Sequence, residues 1–378
     1  MSGFTFETTP RIICEDGAAT RLAELLAERG ARRPFVATDP GLVAAGVVDP
    51  VLAALRRSGV EPTVYSGVQA DPPEASVEAA AEAARAAGAD AVIGLGGGSS
   101  LDTAKLVALL AGGGARPLPE LYGIGLARGP RLPLIQIPTT AGTGSEVTPI
   151  AIVTTPDDQK KGVVSPLLYP DLALLDATLT VGLPPRVTAM TGIDAMVHAI
   201  EAYTSRHKKN PVSDALATAA LRLLHGAIRR VIADGTDLAA RRNMLQGSLL
   251  AGMAFANAPV GAVHALAYPL GGVFHAPHGL SNALVLGPVL RFNLPAAAPL
   301  YAELAGALGL RPEAEAFVEE MSALVAAMPM EQRLGEIGVE RQHLDRLARD
   351  AMDVQRLLVN NPREVTYDDA LALYEAAL

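Results

Sequence analysis

The chain has 378 residues, half of them hydrophobic, a formal net charge of −9 and a single cysteine, Cys14. That length exceeds what one hydrophobic core usually organises and predicts two domains, while the acidic balance and the lack of a basic tract exclude a nucleic-acid surface and fit small-molecule partners. One cysteine rules out an intrachain disulfide and suits a reducing cytoplasm; the first ten residues show no basic segment leading into an apolar one, so a cytoplasmic protein without a secretion signal is expected.

In chain order the first half alternates short β-rich runs with Ala-rich helical ones, the pattern of a parallel sheet covered by helices. Residues 34–38 read as a strand and 41–58 as helical; 62–66 is a second strand, followed by a helix over 74–87. A third strand at 91–95 ends in Gly96-Gly97-Gly98 and leads into a helix from Ser99. A fourth, 134–137, runs into Pro138-Thr139-Thr140-Ala141-Gly142-Thr143-Gly144-Ser145, and 150–154, 162–165 and 172–175 read as further short strands. After Leu183-Pro184-Pro185 the strand signals stop. The expected division is therefore an α/β domain over 1–180 and a helical domain over 181–378. From Asn243 to Val289 there is no Lys, Arg, Asp or Glu. A membrane helix is the tempting reading, but Asn257, Pro259, His264, Pro269, Gly271, Gly272, Pro277 and Asn282 interrupt it, and buried helices around a site are expected instead.

Two loops look built for a dinucleotide. Gly97, Gly98 and Ser99 lie between a strand and a helix, where free backbone N–H groups and the positive helix end can hold a pyrophosphate. The Rossmann fingerprint itself is not met, because counted from Gly94 its third glycine position is Ser99, and a plain structural turn is the alternative. Thr139, Thr140, Thr143 and Ser145 bring hydroxyls to the end of the next strand, and loops at the carboxyl ends of adjacent strands converge on one crevice. Asp39, closing Val36-Ala37-Thr38-Asp39, can accept hydrogen bonds from ribose hydroxyls and repel a 2′-phosphate, favouring NAD over NADP; a helix N-cap beside Pro40-Gly41 explains it equally. Asp102, in the helix behind the glycines, joins the cofactor candidates, with a surface pair to Lys105 as the alternative.

Asp194 and His198 are four apart, so on a helix they share one face, as a carboxylate and an imidazole must to share one ion. The chain has seven histidines, and His264, His275 and His278 sit in the charge-free run, where an unpaired imidazole carries a desolvation cost that a metal offsets. One Asp with three His suits Fe²⁺ or Zn²⁺ and lacks the thiolates of a structural zinc site. Such an ion would polarise an alcohol or carbonyl oxygen. His275 is a candidate proton relay; His207, His225 and His343 read as surface or structural.

The segments Gly-Gly-Gly-Ser-Ser-Leu-Asp-Thr-Ala-Lys105, Pro-Thr-Thr-Ala-Gly-Thr-Gly-Ser-Glu-Val-Thr148, Gly-Ile-Asp-Ala-Met-Val-His198 and His264 through Gly279 with Asn282 make the chain resemble the iron-containing (group III) alcohol dehydrogenase family across nearly its full length. The resemblance implies a Rossmann-like dinucleotide-binding α/β domain followed by an all-α domain, the dehydroquinate synthase-like architecture, with the metal and the nicotinamide meeting between them. Carried over by position, it makes Asp194, His198, His264 and His278 the ligands and Asp39, Asp71, Gly97, Gly98, Ser99, Thr139, Thr140, Thr148, Lys160 and Leu179 the cofactor contacts. It also implies a homodimer or larger homo-oligomer. Two departures stand out: Tyr268 occupies a place where members often carry a further His, and Ala70-Asp71-Pro72-Pro73 replaces a frequent Pro-Asn-Pro-Thr. The expected function is a metal-dependent NAD(H) oxidoreductase interconverting a small primary alcohol or diol with its aldehyde or ketone. A glycerol-dehydrogenase-like or maleylacetate-reductase-like activity, a lyase related to dehydroquinate synthase, a metal-dependent hydrolase and a non-catalytic binding protein are the rivals.

Overall fold

The computed structural model describes residues 3–113, 116–157 and 159–378. It contains two compact units, Thr8–Gly182 and Leu183–Leu378, the latter joined by residues 3–7.

The first unit is built on nine strands: β1 (Ile12–Cys14), β2 (Pro34–Ala37), β3 (Thr63–Tyr65), β4 (Ala91–Gly96), β5 (Gly123–Ile124), β6 (Leu134–Pro138), β7 (Ile150–Thr154), β8 (Lys160–Val164) and β9 (Leu172–Leu175). Six of them form one sheet in the order β1-β9-β6-β4-β2-β3, with every pairing parallel. Side chains alternate across it: Phe35, Val92 and Leu134 enter one apolar layer, while Val36, Ile93 and Ile135 enter the other. Burial on both faces explains why these runs read as continuously apolar rather than alternating. The helices α1 (Leu22–Ala27), α2 (Pro40–Ala44), α3 (Asp49–Arg57), α4 (Glu74–Ala86) and α5 (Gly98–Ala111) lie between the strands in sequence, with α4 and α5 supplying one layer and α1 and α3 the other. The chain runs outward from β2 to β3 and then returns to place β4 on the far side of β2, so the topological switch falls between β2 and β4, next to the loops that follow them.

Several expectations need correction. The single helix over 41–58 is two helices, because Gly46 at φ 69° turns the backbone left-handed between α2 and α3. β1 and the two-residue β5 were not anticipated, being short segments without a bounding pattern of turn residues and helices. The strand placed at 162–165 begins at Lys160 and pairs antiparallel with β7, and β8 also takes β5, so these three make a separate small sheet.

The second unit contains α6 (Pro185–Thr204), α7 (Pro211–Ala233), α8 (Leu238–Asn257), α9 (Ala262–Phe274), α10 (His278–Ala307), α11 (Ala314–Ala326), α12 (Leu344–Met352), α13 (Gln355–Leu358) and α14 (Tyr367–Ala377), with no strand among its described residues. The charge-free run spans the end of α8, all of α9 and the start of α10, and the axes of α8 and α9 are bent by 104° to each other. Among the described residues α10 is long and apolar enough to cross a membrane. It nevertheless contains Pro288, Pro295 and Pro299, and it packs on α6, α9 and α11.

Candidate metal centre and cofactor loops

Pro185 opens α6 at a position where its missing N–H costs nothing, and the helix then runs without interruption through Asp194 and His198. His264 sits in the first turn of α9 and His278 begins α10 behind Pro277. Three helices thus bring one donor atom each from Asp194, His198, His264 and His278 to within 4.8 Å of one another. The imidazoles of His198 and His264 stack at 4.6 Å, those of His264 and His278 lie 5.3 Å apart, and the Phe255 ring covers His198 at 4.2 Å. Asp194, His198 and His264 are 2–5% exposed, whereas the His278 side chain is 38% exposed, so the cage is sealed on three ligands and open at the fourth.

Two residues complete the cage that sequence reasoning did not assign. Glu201 is buried; its Oε2 takes a hydrogen bond of 2.6 Å from His264 Nδ1 and its Oε1 one of 2.7 Å from the backbone N–H of Val263. A carboxylate accepts only, so the proton of His264 is on Nδ1 and Nε2 is left as the acceptor, 3.3 Å from Asn282 Nδ2 and 3.9 Å from Asp194 Oδ1. Glu201 is seven residues after Asp194 and three after His198, the same helical face, and this spacing was the available signal. Asn282, one turn after His278, donates from Nδ2 to Asp194 Oδ1 at 2.6 Å. Its buried Oδ1 has no partner among the described residues, the kind of orphaned polar atom that a further group at the site would explain. Burial pushes the Asp194 carboxyl up, but the three imidazoles and the Asn282 amide together outweigh it and hold the group below the usual carboxylate range. A carboxylate held in its charged form and three imidazoles converging on one point fit a divalent cation, whose charge would take the place of the imidazoles' protons. Gly279 allows the convergence: a Cβ there would fall 2.4 Å from the Met190 carbonyl oxygen, so only glycine lets α10 approach the α6 backbone this closely.

His275 does not join this group. It closes α9 in the left-handed conformation at φ 52°, with its side chain exposed, and no hydrogen bond or ring contact links it to the ligands. Tyr268 is the nearer candidate, its ring 6.1 Å from that of His278. Of the histidines read as surface or structural, His225 bonds Glu320 at 2.7 Å and His343 caps a helical turn with Glu340.

In the α/β unit Gly97 is the N-cap of α5, and no side chain caps that helix, which leaves its first-turn N–H groups to a ligand. The glycine and threonine loops touch: a Cβ on Gly98 would strike Thr143 at 2.7 Å, and one on Gly97 would lie 3.5 Å from Thr140. The Thr139 hydroxyl is buried without a partner. Ser99 is half-buried beside them. Asp39 caps α2 through Oδ1, which accepts from Leu42 N at 3.0 Å; Oδ2 has no hydrogen bond among the described residues, so the capping and ribose readings coexist. An open helix end, a glycine cradle and orphaned hydroxyls fit a dinucleotide. Asp71, at φ 49°, pairs with Lys160 at 2.7 Å, an interaction that asparagine could not make with the same charge. Leu179 lies in the apolar layer beneath the sheet.

Asp102 and Lys105 are not a surface pair. Lys105 is fully buried and donates to the Ile150 carbonyl at 2.6 Å and to Thr148 Oγ1 at 3.1 Å, with Asp102 3.6 Å away. Asp102 accepts from Ser145 Oγ at 2.6 Å and from Ile152 N at 2.9 Å, so both its oxygens are spent on anchoring the threonine loop and β7 to α5. Burial pushes the neighbouring Glu146 carboxyl up to about 7, with Lys105 opposing the rise. Glu146 therefore keeps its proton up to about pH 7 when folded and loses it near 4.5 when unfolded. The folded chain binds more protons across that window, and stability falls by roughly 3 kcal/mol as pH rises through it. Glu146→Gln is expected to remove this slope. Melting temperatures of the two proteins followed from about pH 5 to about pH 8 should diverge in the variant's favour, and curves that stay parallel would contradict the assignment.

The model of the iron-containing alcohol dehydrogenase family matches residues 9–177, and that of the C-terminal part of the Fe-containing alcohol dehydrogenase family matches residues 188–378. Long-chain-alcohol dehydrogenase 1 of Geobacillus thermodenitrificans is 44% identical over 370 residues, covering 96% of this chain and 93% of the relative. A solved 1,3-propanediol oxidoreductase superposes with a TM-score of 0.95 at 33% identity, covering both chains completely. The NAD⁺ complex of sulfoacetaldehyde reductase from Bifidobacterium kashiwanohense superposes with a TM-score of 0.92 at 28% identity, over 100% of this chain and 99% of that one. With both units matched, a helical unit that gathers the four ligands and a sheet whose loops meet at Gly98, the chain belongs to the iron-containing alcohol dehydrogenase family.

Proposed function

We propose that the protein interconverts a small primary alcohol or diol with its aldehyde or ketone, using NAD and an Fe²⁺ ion held by Asp194, His198, His264 and His278, with Zn²⁺ as the second choice of ion. The convergence of one carboxylate and three imidazoles, with His264 oriented from behind by Glu201, carries this reading. When bound, the ion supplies Lewis acidity toward the alcohol or carbonyl oxygen and NAD accepts or returns the hydride. The residues of the chain do the positioning. Asn282 fixes Asp194, Phe255 keeps water from His198, and the exposed flank of His278 admits the substrate. The backbone of Gly97, Gly98 and Ser99 takes the pyrophosphate, the free oxygen of Asp39 takes a ribose hydroxyl, and Thr139, Thr140 and Thr143 line the same crevice. Thr148 and Asp102 support that crevice from behind through Lys105, Leu179 supports it from the core, and Asp71 with Lys160 flanks it. Tyr268, rather than His275, is the proposed proton carrier beside the open ligand.

The named activities of the relatives, long-chain alcohol dehydrogenation and 1,3-propanediol oxidoreduction among them, support alcohol chemistry over hydrolysis, which would leave the two cofactor loops without a purpose. The reading extends to a cytoplasmic homodimer or larger homo-oligomer, supported by the single cysteine and by the family resemblance. Purified protein supplied with Fe²⁺ or Zn²⁺, NAD⁺ and a panel of short alcohols is expected to form reduced nicotinamide only when the ion is present. Absence of turnover with every ion and alcohol would overturn the proposal.

A further inference from the structure

His278 is the most exposed of the four ligands, and a cation stands near it. Tyr268 lies one turn after His264 on α9, and its ring is 6.1 Å from that of His278, the one ligand with substantial exposure. Arg356, in α13, reaches over this ring with its guanidinium carbon 5.7 Å from the centroid, and its Nη2 donates to the Tyr268 hydroxyl at 3.2 Å. The side chain is therefore held at both its face and its edge. No carboxylate lies within ion-pairing distance of Arg356 among the described residues, whereas most of the other arginines have one. An exposed guanidinium is ordinarily a solvated surface group. This one bonds the tyrosine whose ring lies beside the most exposed ligand, and it has no ion-pair partner among the described residues.

Resting on the alcohol-dehydrogenase reading above, we propose that the preferred substrates carry an anionic end group, a carboxylate or sulfonate, several bonds from the reacting carbon, and that Arg356 receives it. The planar fork of the guanidinium matches the two or three oxygens of such a group, and its remaining N–H groups are free to bind while one holds Tyr268. The reacting oxygen then lies at the cage and the acid end at the rim, so the pair acts as a ruler for substrate length as well as a filter for charge.

The test uses the metal-loaded protein with NAD⁺ and matched substrates, ω-hydroxyhexanoate against hexanol and ω-hydroxybutanoate against butanol. The kcat/KM ratio of acid to alcohol is expected to favour the acid in the native protein and to fall by about tenfold or more in Arg356→Gln, with Arg356→Lys between them. Calorimetry of hexanoate against hexanamide binding gives a readout independent of turnover, and hexanoate alone should weaken in the glutamine variant. Neutral alcohols oxidised without any acid preference would overturn the proposal and leave the wider function standing. If no alcohol is oxidised the wider function fails, and hexanoate binding that is insensitive to Arg356→Gln would then overturn this proposal too. Loss of reduced-NAD binding in the variant, with acid preference unchanged, would assign the guanidinium to the cofactor and likewise overturn it.

Discussion

Asp194→Ala is expected to yield folded protein purified with almost no bound iron or zinc, and with turnover lower by more than about a hundredfold even when the ion is resupplied. The carboxylate is the one anionic ligand in the cage, 2% exposed and kept charged by three imidazoles and an amide. Without it the remaining donors are neutral, and a dication in so buried a place lacks its compensating charge. Elemental analysis of the purified variant measures the loss directly. Native-like metal content would show that the ion sits elsewhere. His264→Ala should be as damaging to metal binding and worse for folding, since it also strands the buried Glu201 carboxylate without its imidazole partner.

Glu201→Gln should lower metal affinity by roughly 10–100-fold although Glu201 is not a ligand. The two oxygens of the carboxylate serve two N–H donors, His264 Nδ1 and Val263 N. A glutamine has one oxygen and one NH₂, so it fails in either orientation. With its oxygen toward Nδ1, the NH₂ opposes the Val263 N–H; with its NH₂ toward Nδ1, the imidazole proton moves to Nε2 and blocks the lone pair meant for the ion. Competition against a chelator gives the dissociation constant, and melting of the metal-free proteins separates a local change from general unfolding. Affinity equal to native in a properly folded variant would reduce Glu201 to a packing role. Glu201→Asp, which keeps both acceptors on a shorter stem, should recover part of the loss.

The metal ligands were legible in the sequence because each announces itself in a different way. Asp194 and His198 share a helical face by spacing alone, while His264 and His278 are conspicuous as polar groups in a run without charges. Asn282 stood in the charge-free run but had no role assigned to it, and Glu201, which also obeys helical spacing, looks like any solvent-facing residue on its helix until its burial is known. The same blindness applied to Lys105. The helix α5 is covered by the sheet on one side and by α4 and β7 on others, so no apolar stripe marks which way a lysine points, and neither the cofactor reading of Asp102 nor its surface-pair alternative anticipated a buried anchor. The parallel sheet was readable from its doubly buried strands, whereas β1 was too short and the break at Gly46 depended on a single backbone angle. His275 was chosen for its chemistry and its nearness in sequence to His278. Its place at the left-handed end of α9 turns on the geometry of the chain reversal between α9 and α10, which residue types alone do not reveal.

The glycine that follows His278 has a bearing on how closely the ligand-bearing helices pack. Where Gly279 meets Met190, two main chains are in contact with no side chain between them, so the separation of the helices that carry Asp194 and His278 has a hard lower stop. The helices that carry Asp194 and His278 cannot close beyond that stop. The spacing of two ligand-bearing helices is thereby set at a residue that is not itself a ligand, by the absence of one methyl group.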